Sequence, residues 1–131
     1  MTPIQVLQSV KTVAMVGASH KPSRPSYDVF GWMLARGFDM IPINPDPNVT
    51  AIHGVPVVRS LAAVDRPIDM VQVFRRAEFL YAVAQEAIAV KAKVLWGQLD
   101  VVDQAAADLA AAAGLTVVMD RCPKIELRDR A

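Results

Sequence analysis

Three features are scarce or missing in this 131-residue chain: cysteine, long apolar runs and an excess of charge of either sign. Because Cys122 is the only cysteine, no internal disulfide can form, which is compatible with a reducing compartment. No window reaches the roughly 18 continuous apolar residues that a membrane helix requires, and the first residues lack the pattern of a signal peptide. These absences predict a soluble, cytoplasmic protein with no membrane partner.

Charge is nearly balanced, with 14 Lys and Arg residues against 13 Asp and Glu residues. The chain therefore has no global field that would attract nucleic acid, and any anion must be recognised by local groups. Hydrophobic residues make up 53% of the chain and charged residues 21%, which argues against disorder. This composition and length predict one packed domain covering residues 1–131.

Histidine is also scarce, since His20 and His53 are the only two and no spacing ties either of them to Cys122. A nucleophilic cysteine needs a base nearby, so a buried, inert side chain is the favoured interpretation of Cys122. No spacing of Cys, His or carboxylate side chains indicates a metal site. The sequence therefore predicts neither catalytic residues nor a bound metal, and His20 is only a candidate pocket residue.

Apolar runs alternate along the chain with amphipathic or alanine-rich segments. The predicted strands are Val13–Val16, Met40–Ile43, Val55–Val58 (a short edge strand), Ile68–Phe74, Lys93–Trp96 and Leu115–Met119. The predicted helical segments are Pro3–Val10, Tyr27–Arg36, Ser60–Val64 (one turn), Glu78–Val90 and Val102–Ala113, followed by a polar tail, Asp120–Ala131. This alternation predicts an α/β fold, with a doubly wound, mostly parallel sheet and helices on both faces.

The position of a ligand site follows from the order of the strands. We expect the strand at Val13 to lie centrally, with the strand at Met40 on one side and the strand at Ile68 on the other. Ligands bind such sheets at the carboxyl ends of the strands, where the strand order reverses. The two loops that meet there begin at Gly17 and at Phe74, and both carry cationic side chains.

The loop after the first strand resembles an anion site. Gly17 permits a tight turn, and the helix start that follows presents unpaired N–H groups and a partial positive charge. The binding candidates in this loop are Gly17, Ala18, Ser19, Lys21, Arg24 and Ser26. The segment has neither the glycines of GxGxxG nor the GK[ST] ending of a P-loop, so a plain turn with solvated basic residues stays an equal alternative.

The second strand ends differently from that of a typical dinucleotide-binding fold, which places a carboxylate there for the ribose hydroxyls. This chain has Asn44, and the nearest acid is Asp46, one step beyond a proline. The pattern argues against a dinucleotide dehydrogenase, although Asp46 could still reach. Asn44 is a cofactor-binding candidate, with turn formation as its alternative.

Two further strand ends carry candidate ligand contacts. Phe74 and Arg75 could stack on an adenine and pair with a phosphate, although a capping aromatic beside solvent-facing arginines is the favoured alternative. Trp96 and Gln98 end the following strand. Tryptophan there is most often a core residue, so Gln98 is the better candidate of these two.

Several blocks occur together in one order, from roughly Val10 to Glu126. They are VGAS, KPSRPSYDV, IPINP, IHGVPVVRSL, PIDMVQVFRRAE, AKVLWGQLD and GLTVVMDRCPKIE. In these blocks the chain resembles the small stand-alone CoA-binding proteins related to the CoA-binding domain of the succinyl-CoA synthetase alpha subunit. The resemblance implies a Rossmann-like domain that binds coenzyme A or an acyl-CoA.

The resemblance also assigns the candidates to parts of the ligand. The phosphate turn would be Gly17, Ala18 and Ser19. The phosphates of the adenosine half would be held by Lys21, Arg24 and Ser26. The nucleotide would be flanked by Phe74 and Arg75, and the pantetheine arm would run nearer Trp96 and Gln98.

Succinyl-CoA synthetase also needs a second alpha domain with a phosphohistidine and a beta subunit with an ATP-grasp fold, and this sequence has neither. The resemblance therefore implies non-catalytic binding, as a carrier, a sensor or a regulatory subunit. Two alternatives stay open. One is a small NAD(P)-binding oxidoreductase, with Arg24 on the extra phosphate of NADP, and the other is a nucleotide-binding subunit of a larger enzyme. The expected partner is a small-molecule nucleotide, with a homo-oligomer or a partner enzyme left open.

Overall fold

The computed structural model describes residues 1–128, in which helices and strands alternate as predicted. The helices are α1 (Pro3–Ser9), α2 (Pro25–Ala35), α3 (Leu80–Ala89), α4 (Gln104–Ala112) and α5 (Pro123–Leu127). The strands are β1 (Thr12–Val16), β2 (Asp39–Ile43), β3 (Ala51–Ile52), β4 (Val55–Pro56), β5 (Met70–Val73), β6 (Val94–Gly97) and β7 (Thr116–Val118). Short 3-10 turns lie at Leu61–Ala63 and Ala77–Phe79.

Five of the strands form one parallel sheet in the order β2-β1-β5-β6-β7. Val16 at the end of β1 lies opposite Ile43 of β2 and Val73 of β5, so these three strands end at the same level. The order reverses between β1 and β5, because β2 lies on one side of β1 and all later strands of the sheet lie on the other. The predicted α/β, Rossmann-like fold and its switch point are confirmed.

Alternate residues of the strands enter two apolar layers on opposite faces of the sheet. On one face Met15 packs in a core with Phe30 of α2 and Leu127 of α5. On the other face its neighbour Ala14 packs in a core with Leu80 of α3 and residues of α4. Helices therefore cover both faces of the sheet, and the strand ends are the places left for a ligand.

Local signals explain where the first two helices begin. Thr2 accepts a hydrogen bond from the Gln5 N–H at 3.2 Å, and the Gln5 side chain accepts one from the Thr2 N–H at 2.8 Å, which forms a capping box. Helix α2 begins at Pro25 rather than at Tyr27, because proline fits the first helical position. It ends before Gly37, whose φ of 95° is typical of a helix terminus.

The predicted strand Val55–Val58 is divided between two partners. Its first half, β4, pairs with β3 in a small antiparallel hairpin that is separate from the main sheet. Val58 instead forms an isolated bridge to Ile43 at the outer edge of β2. The proline within β4 cannot donate to a ladder, which is consistent with a short pairing there.

The predicted polar tail, Asp120–Ala131, contains a helix, so that expectation is wrong for residues 123–127. Helix α5 packs against α1 and α2, with Pro123 and Leu127 buried on one helical face. The sequence signal was a proline followed four residues later by a leucine, a spacing that places both on the same side of a helix. The last three residues of that tail, 129–131, lie outside the described residues.

Across residues 1–128, we find no helix long and apolar enough to cross a membrane.

Candidate functional site

A cleft of about 590 Å³ opens at the carboxyl ends of β1, β2 and β5. Its walls come from the loop between β1 and α2, the loop after β2, the segment before the first 3-10 turn and the residues after β5. The sequence-predicted residues that line it are Gly17, Ala18, Ser19, Lys21, Arg24, Ser26, Asn44, Phe74 and Arg75. The cleft thus lies at the predicted switch point.

Gly17 brings the two central loops into backbone contact. Its φ is 85°, and a Cβ built at this position would lie 2.5 Å from the carbonyl oxygen of Phe74. The Phe74 N–H donates to the Val16 carbonyl oxygen at 2.8 Å, which holds the same two segments together. Glycine is therefore needed here both for the left-handed backbone and for the close approach of the β5 end.

Two backbone N–H groups in the turn between β1 and α2 donate hydrogen bonds within the turn. The Lys21 N–H donates to Ser19 Oγ at 3.1 Å, and the Arg24 N–H donates to the Lys21 carbonyl oxygen at 3.0 Å. Arg24 is the N-cap of α2, and its side chain makes no capping bond. Because Arg24 and Ser26 line the cleft, the partial positive charge at the N-terminus of α2 lies beside it.

Asn44 ties the loop after β2 to this turn. Its Nδ2 donates to the Ala18 carbonyl oxygen at 2.9 Å, and its Oδ1 accepts from the Asp46 N–H at 2.8 Å. The turn-forming role that the sequence offered as an alternative is confirmed. Since both ends of the amide are engaged within the protein, Asn44 shapes the cleft through Ala18.

The cleft wall is rich in cations. The side chains of Lys21, Arg24 and Arg75 line it, and all three residues are exposed. The guanidinium carbon of Arg75 lies 4.0 Å from the centroid of the Phe79 ring, a cation–π contact that orients this side chain. His20 lines the same cleft, as its sequence position suggested. This charge pattern suits a ligand that carries several phosphate groups.

Two charged residues of the cleft were not singled out from the sequence. Arg59 also lines the cleft, and its guanidinium group contacts backbone carbonyls of the loop after β2. Glu86 of α3 also lines the cleft. No local pattern marks either residue, because carbonyl acceptors occur at every position and helix α3 is far from the loop in sequence.

A family model described as CoA binding domain matches residues 11–128 of the chain. The chain belongs to this CoA-binding family. It is 40% identical over 121 residues to the uncharacterized protein YneT of Bacillus subtilis (strain 168). The aligned region covers 92% of this chain and 88% of that protein. The predicted family is confirmed, and a general CoA-binding role is supported.

Solved structures share the whole architecture of this CoA-binding domain. A hypothetical protein from Pyrococcus horikoshii OT3 aligns with a TM-score of 0.90 at 30% identity, covering 96% of this chain and 87% of that chain. A Thermus thermophilus protein described as cell-free ID.343 aligns with a TM-score of 0.87 at 29% identity, covering 96% and 94%. The Rossmann-like sheet is thus common to these proteins and to this member of the family.

Trp96 and Gln98, which the resemblance places nearer the pantetheine arm, do not line the cleft. Trp96 is fully buried, and its Nε1 donates to the Arg121 carbonyl oxygen at 2.8 Å. Gln98 is 5% exposed, and its Oε1 accepts from Gln72 Nε2 at 3.1 Å. The physical reason is strand order, since β5 lies between β6 and the turn that follows β1.

The remaining residues with reactive side chains have structural roles in this CoA-binding domain. Cys122 is buried, as expected, and is the N-cap of α5. His53 Nε2 lies 2.8 Å from the Tyr27 carbonyl oxygen, and the imidazole stacks on the Tyr27 ring at a centroid distance of 3.9 Å. Because a carbonyl oxygen only accepts, Nε2 carries the proton there. No cluster of three or more metal-ligating side chains occurs within residues 1–128.

Two carboxyl groups with shifted pKa values lie at the amino ends of the strands, opposite the cleft. The Arg66 guanidinium, bonded to Asp39 at 2.9 and 3.0 Å, lowers the pKa of that carboxyl below its ordinary value of 3.8. The backbone N–H groups of Thr12 and Lys11 donate to Asp69 and lower its pKa in the same direction. These groups stabilise the amino ends of β1, β2 and β5, away from the cleft.

Proposed function

We propose that this protein binds coenzyme A or an acyl-CoA, with the adenosine phosphates in the cleft at the ends of β1, β2 and β5. The observation that carries this proposal is the convergence of Lys21, Arg24 and Arg75 on one cleft beside the N-terminus of α2. Cationic side chains and helix N–H groups are the donors that phosphates prefer. Membership of the CoA-binding family supports the same class of ligand.

The size of the cleft supports a nucleotide-sized ligand. Ligand pockets usually enclose roughly 300–1,000 Å³, and the volume of about 590 Å³ falls within that range. The half-buried Phe74 offers a flat apolar surface beside Arg75, which suits an adenine ring. The phosphates would then lie against the turn at Gly17, where the backbone approaches most closely.

We propose further that binding is not coupled to a chemical step and that the protein is a carrier, a sensor or a regulatory partner of an enzyme. The cationic side chains that line the cleft support this proposal, because they are suited to binding phosphate groups. Cys122, the one cysteine of the chain, is buried as the N-cap of α5. A role in regulation would let ligand binding change the affinity for a second protein.

A nicotinamide or other adenine dinucleotide is the second candidate ligand. One observation favours it: Asp46 lines the cleft just beyond the end of β2, close to where dinucleotide-binding folds place the acid that binds the ribose hydroxyls. Its Oδ1 accepts from the Asn48 N–H at 2.9 Å, so the carboxylate is held by its own loop. A carboxylate here would favour a ribose without a nearby phosphate.

A thermal-shift panel of CoA, acetyl-CoA, dephospho-CoA, NAD, NADP and ATP tests the proposal. A ligand present at 100 times its Kd adds about 2.7 kcal/mol of stability, enough to raise the Tm by several degrees. We expect CoA or acetyl-CoA to raise the Tm and NAD and NADP to leave it unchanged. Stabilisation by NAD or NADP alone would overturn the proposal in favour of the second candidate.

A pair of variants on α2 provides the matched control for this panel. Arg24 and Arg36 flank the helix at its N-cap and C-cap, and only the first of these two residues lines the cleft. Arg24→Ala should reduce the Tm shift caused by CoA, whereas Arg36→Ala should leave that shift unchanged. Comparing ligand-induced shifts removes any difference in the stability of the unliganded variants.

A further inference from the structure

The guanidinium group of Arg59 lies inside the loop that follows β2. Its Nη1 is within hydrogen-bonding distance of three backbone carbonyl oxygens, at 2.5 Å for Asp46, 2.7 Å for Val49 and 3.2 Å for Asn44. Its Nη2 lies 3.4 Å from the carbonyl oxygen of Pro47. Four backbone carbonyl groups of the loop therefore contact one guanidinium group that comes from a later segment of the chain.

This loop needs such a donor because of its own sequence. Pro45 and Pro47 have no N–H groups, so the loop cannot be held by a regular ladder of backbone hydrogen bonds. The carbonyl oxygens of such a loop accept hydrogen bonds from water or from side-chain donors. Arginine offers five N–H groups on a rigid, planar fork, which allows one side chain to serve several acceptors.

The loop in turn contacts the phosphate turn. Arg59 contacts the carbonyl oxygen of Asn44, and the Asn44 side chain donates to the carbonyl oxygen of Ala18 at 2.9 Å. Ala18 lies directly after Gly17 and lines the cleft. A continuous series of hydrogen bonds thus connects Arg59 to the backbone that would hold the phosphates.

From these contacts we infer that Arg59 is a positioning residue for the ligand, acting through Asn44 on the turn at Ala18. This inference rests on the proposed function of the cleft. Arg59 also lines the cleft, but its Nη atoms contact backbone carbonyls, whereas Lys21, Arg24 and Arg75 present their charges to the cleft. Arg59 therefore fixes the shape of the site, and the other three cations pair with the phosphates.

The test compares Arg59→Gln and Arg59→Lys with Arg66→Gln in the full chain. Arg66 is the matched control, because its guanidinium group also donates two hydrogen bonds. Its acceptor is Asp39 at the amino end of β2, away from the cleft. We expect Arg59→Gln to weaken CoA binding by roughly tenfold, as measured by calorimetry below the Tm of each variant. Arg59→Lys should recover part of the affinity, and Arg66→Gln should change the Kd less than about twofold despite a lower Tm.

Hydrogen exchange in the unliganded protein distinguishes positioning from direct phosphate binding. If Arg59 holds the loop, the Asp46 and Asn48 amides should exchange faster in Arg59→Gln, because both donate to side chains within the loop. Unchanged exchange in that variant would overturn the inference, since the residue would then act on the ligand directly. If Arg59→Gln does not fold, Arg59→Lys carries the same comparison with a smaller expected change.

The outcomes separate this inference from the proposed function. If the wild type binds CoA and Arg59→Gln binds it equally well, the positioning role is wrong and the proposed function stands. If the wild type binds no ligand of the panel, the proposed function is wrong and the inference is withdrawn with it. Faster loop exchange together with weaker binding and partial recovery by lysine would support both.

Discussion

Gly17 illustrates how a single residue can serve the fold and the site together. Its positive φ is strained for residues that carry a Cβ, and its approach to the Phe74 carbonyl oxygen leaves no room for one. The same position begins the turn that would face the phosphates. A substitution here should therefore affect stability and ligand binding at once.

Gly17→Ala should lower the free energy of unfolding by about 3 kcal/mol, from the strained backbone and the overlap with Phe74. Urea denaturation measures this loss. Gly37→Ala is the control, because Gly37 has a φ of 95° but open space where the Cβ would lie. Its expected loss is only about 1–2 kcal/mol, from the backbone alone. Equal losses for the two variants would contradict a steric role for the Phe74 contact.

A contact between Arg24 and a phosphate on the ribose would distinguish CoA from dephospho-CoA. If Arg24 contacts the 3′-phosphate of CoA, Arg24→Ala should weaken CoA binding by about tenfold and dephospho-CoA binding much less. Calorimetric Kd values for the two ligands, compared between wild type and variant, provide the measurement. An equal loss for both ligands would assign Arg24 to the pyrophosphate or to the helix start instead.

At the scale of elements, α5 shows how a short segment gains helical structure from its neighbours. Five residues are far too few for a stable isolated helix, so packing must supply the stability. Leu127 is 6% exposed in the core shared with α1 and α2. Lys124 Nζ also lies 2.6 Å from Asp28 Oδ2, which ties α5 to the first turn of α2. The segment is therefore part of the layer that supports the start of α2.

Leu127→Ala should lower the free energy of unfolding by about 2–3 kcal/mol, because it removes buried methyl groups from this layer. Ile125→Ala is the control on the same helix, since Ile125 is 45% exposed. Its expected change is less than about 0.5 kcal/mol. Chemical denaturation of both variants tests the packing of α5, and similar values for the two would show that the helix does not dock as described.

At the scale of the whole molecule, the carboxyl ends and the amino ends of the parallel strands differ in role. The carboxyl ends carry cations and the turn at Gly17, whereas the amino ends carry Asp39 and Asp69 in stabilising hydrogen bonds. Because the pKa values of both carboxyls are lowered in the folded state, the unfolded chain takes up protons first as the pH falls. Their contribution to stability is therefore complete above pH ~4 and is lost below it.

Asp69→Asn should make the protein less stable at pH 7 but reduce the further loss of stability between pH 6 and pH 3. The physical reason is that asparagine does not titrate, so the linkage to protons at this position disappears. Urea denaturation at several pH values measures the slope. A wild-type slope in Asp69→Asn would assign the acid sensitivity to other carboxyls.

Much of the cleft could be predicted because its parts lie at strand ends and helix starts, which have sequence signatures. The order of the strands predicts that the loops beginning at Gly17 and at Phe74 meet, and both line the cleft. Asn44 is a separate candidate, because it ends the second strand. Trp96 and Gln98 end the next strand but do not line the cleft, because reasoning from sequence treats every strand end alike. The distance of β6 from β1 is a property of the assembled sheet.

The sequence by itself determined the alternation of strands and helices, the cap at Thr2 and the glycine turn, because these depend on neighbouring residues and on simple periodicity. Only the tertiary structure decided the role of Arg59, the tie between Asn44 and Ala18, and the helix at Pro123–Leu127. Backbone carbonyls are the same at every position, so the sequence does not show which of them a distant side chain will contact. Those contacts exist only once the sheet has brought distant segments together.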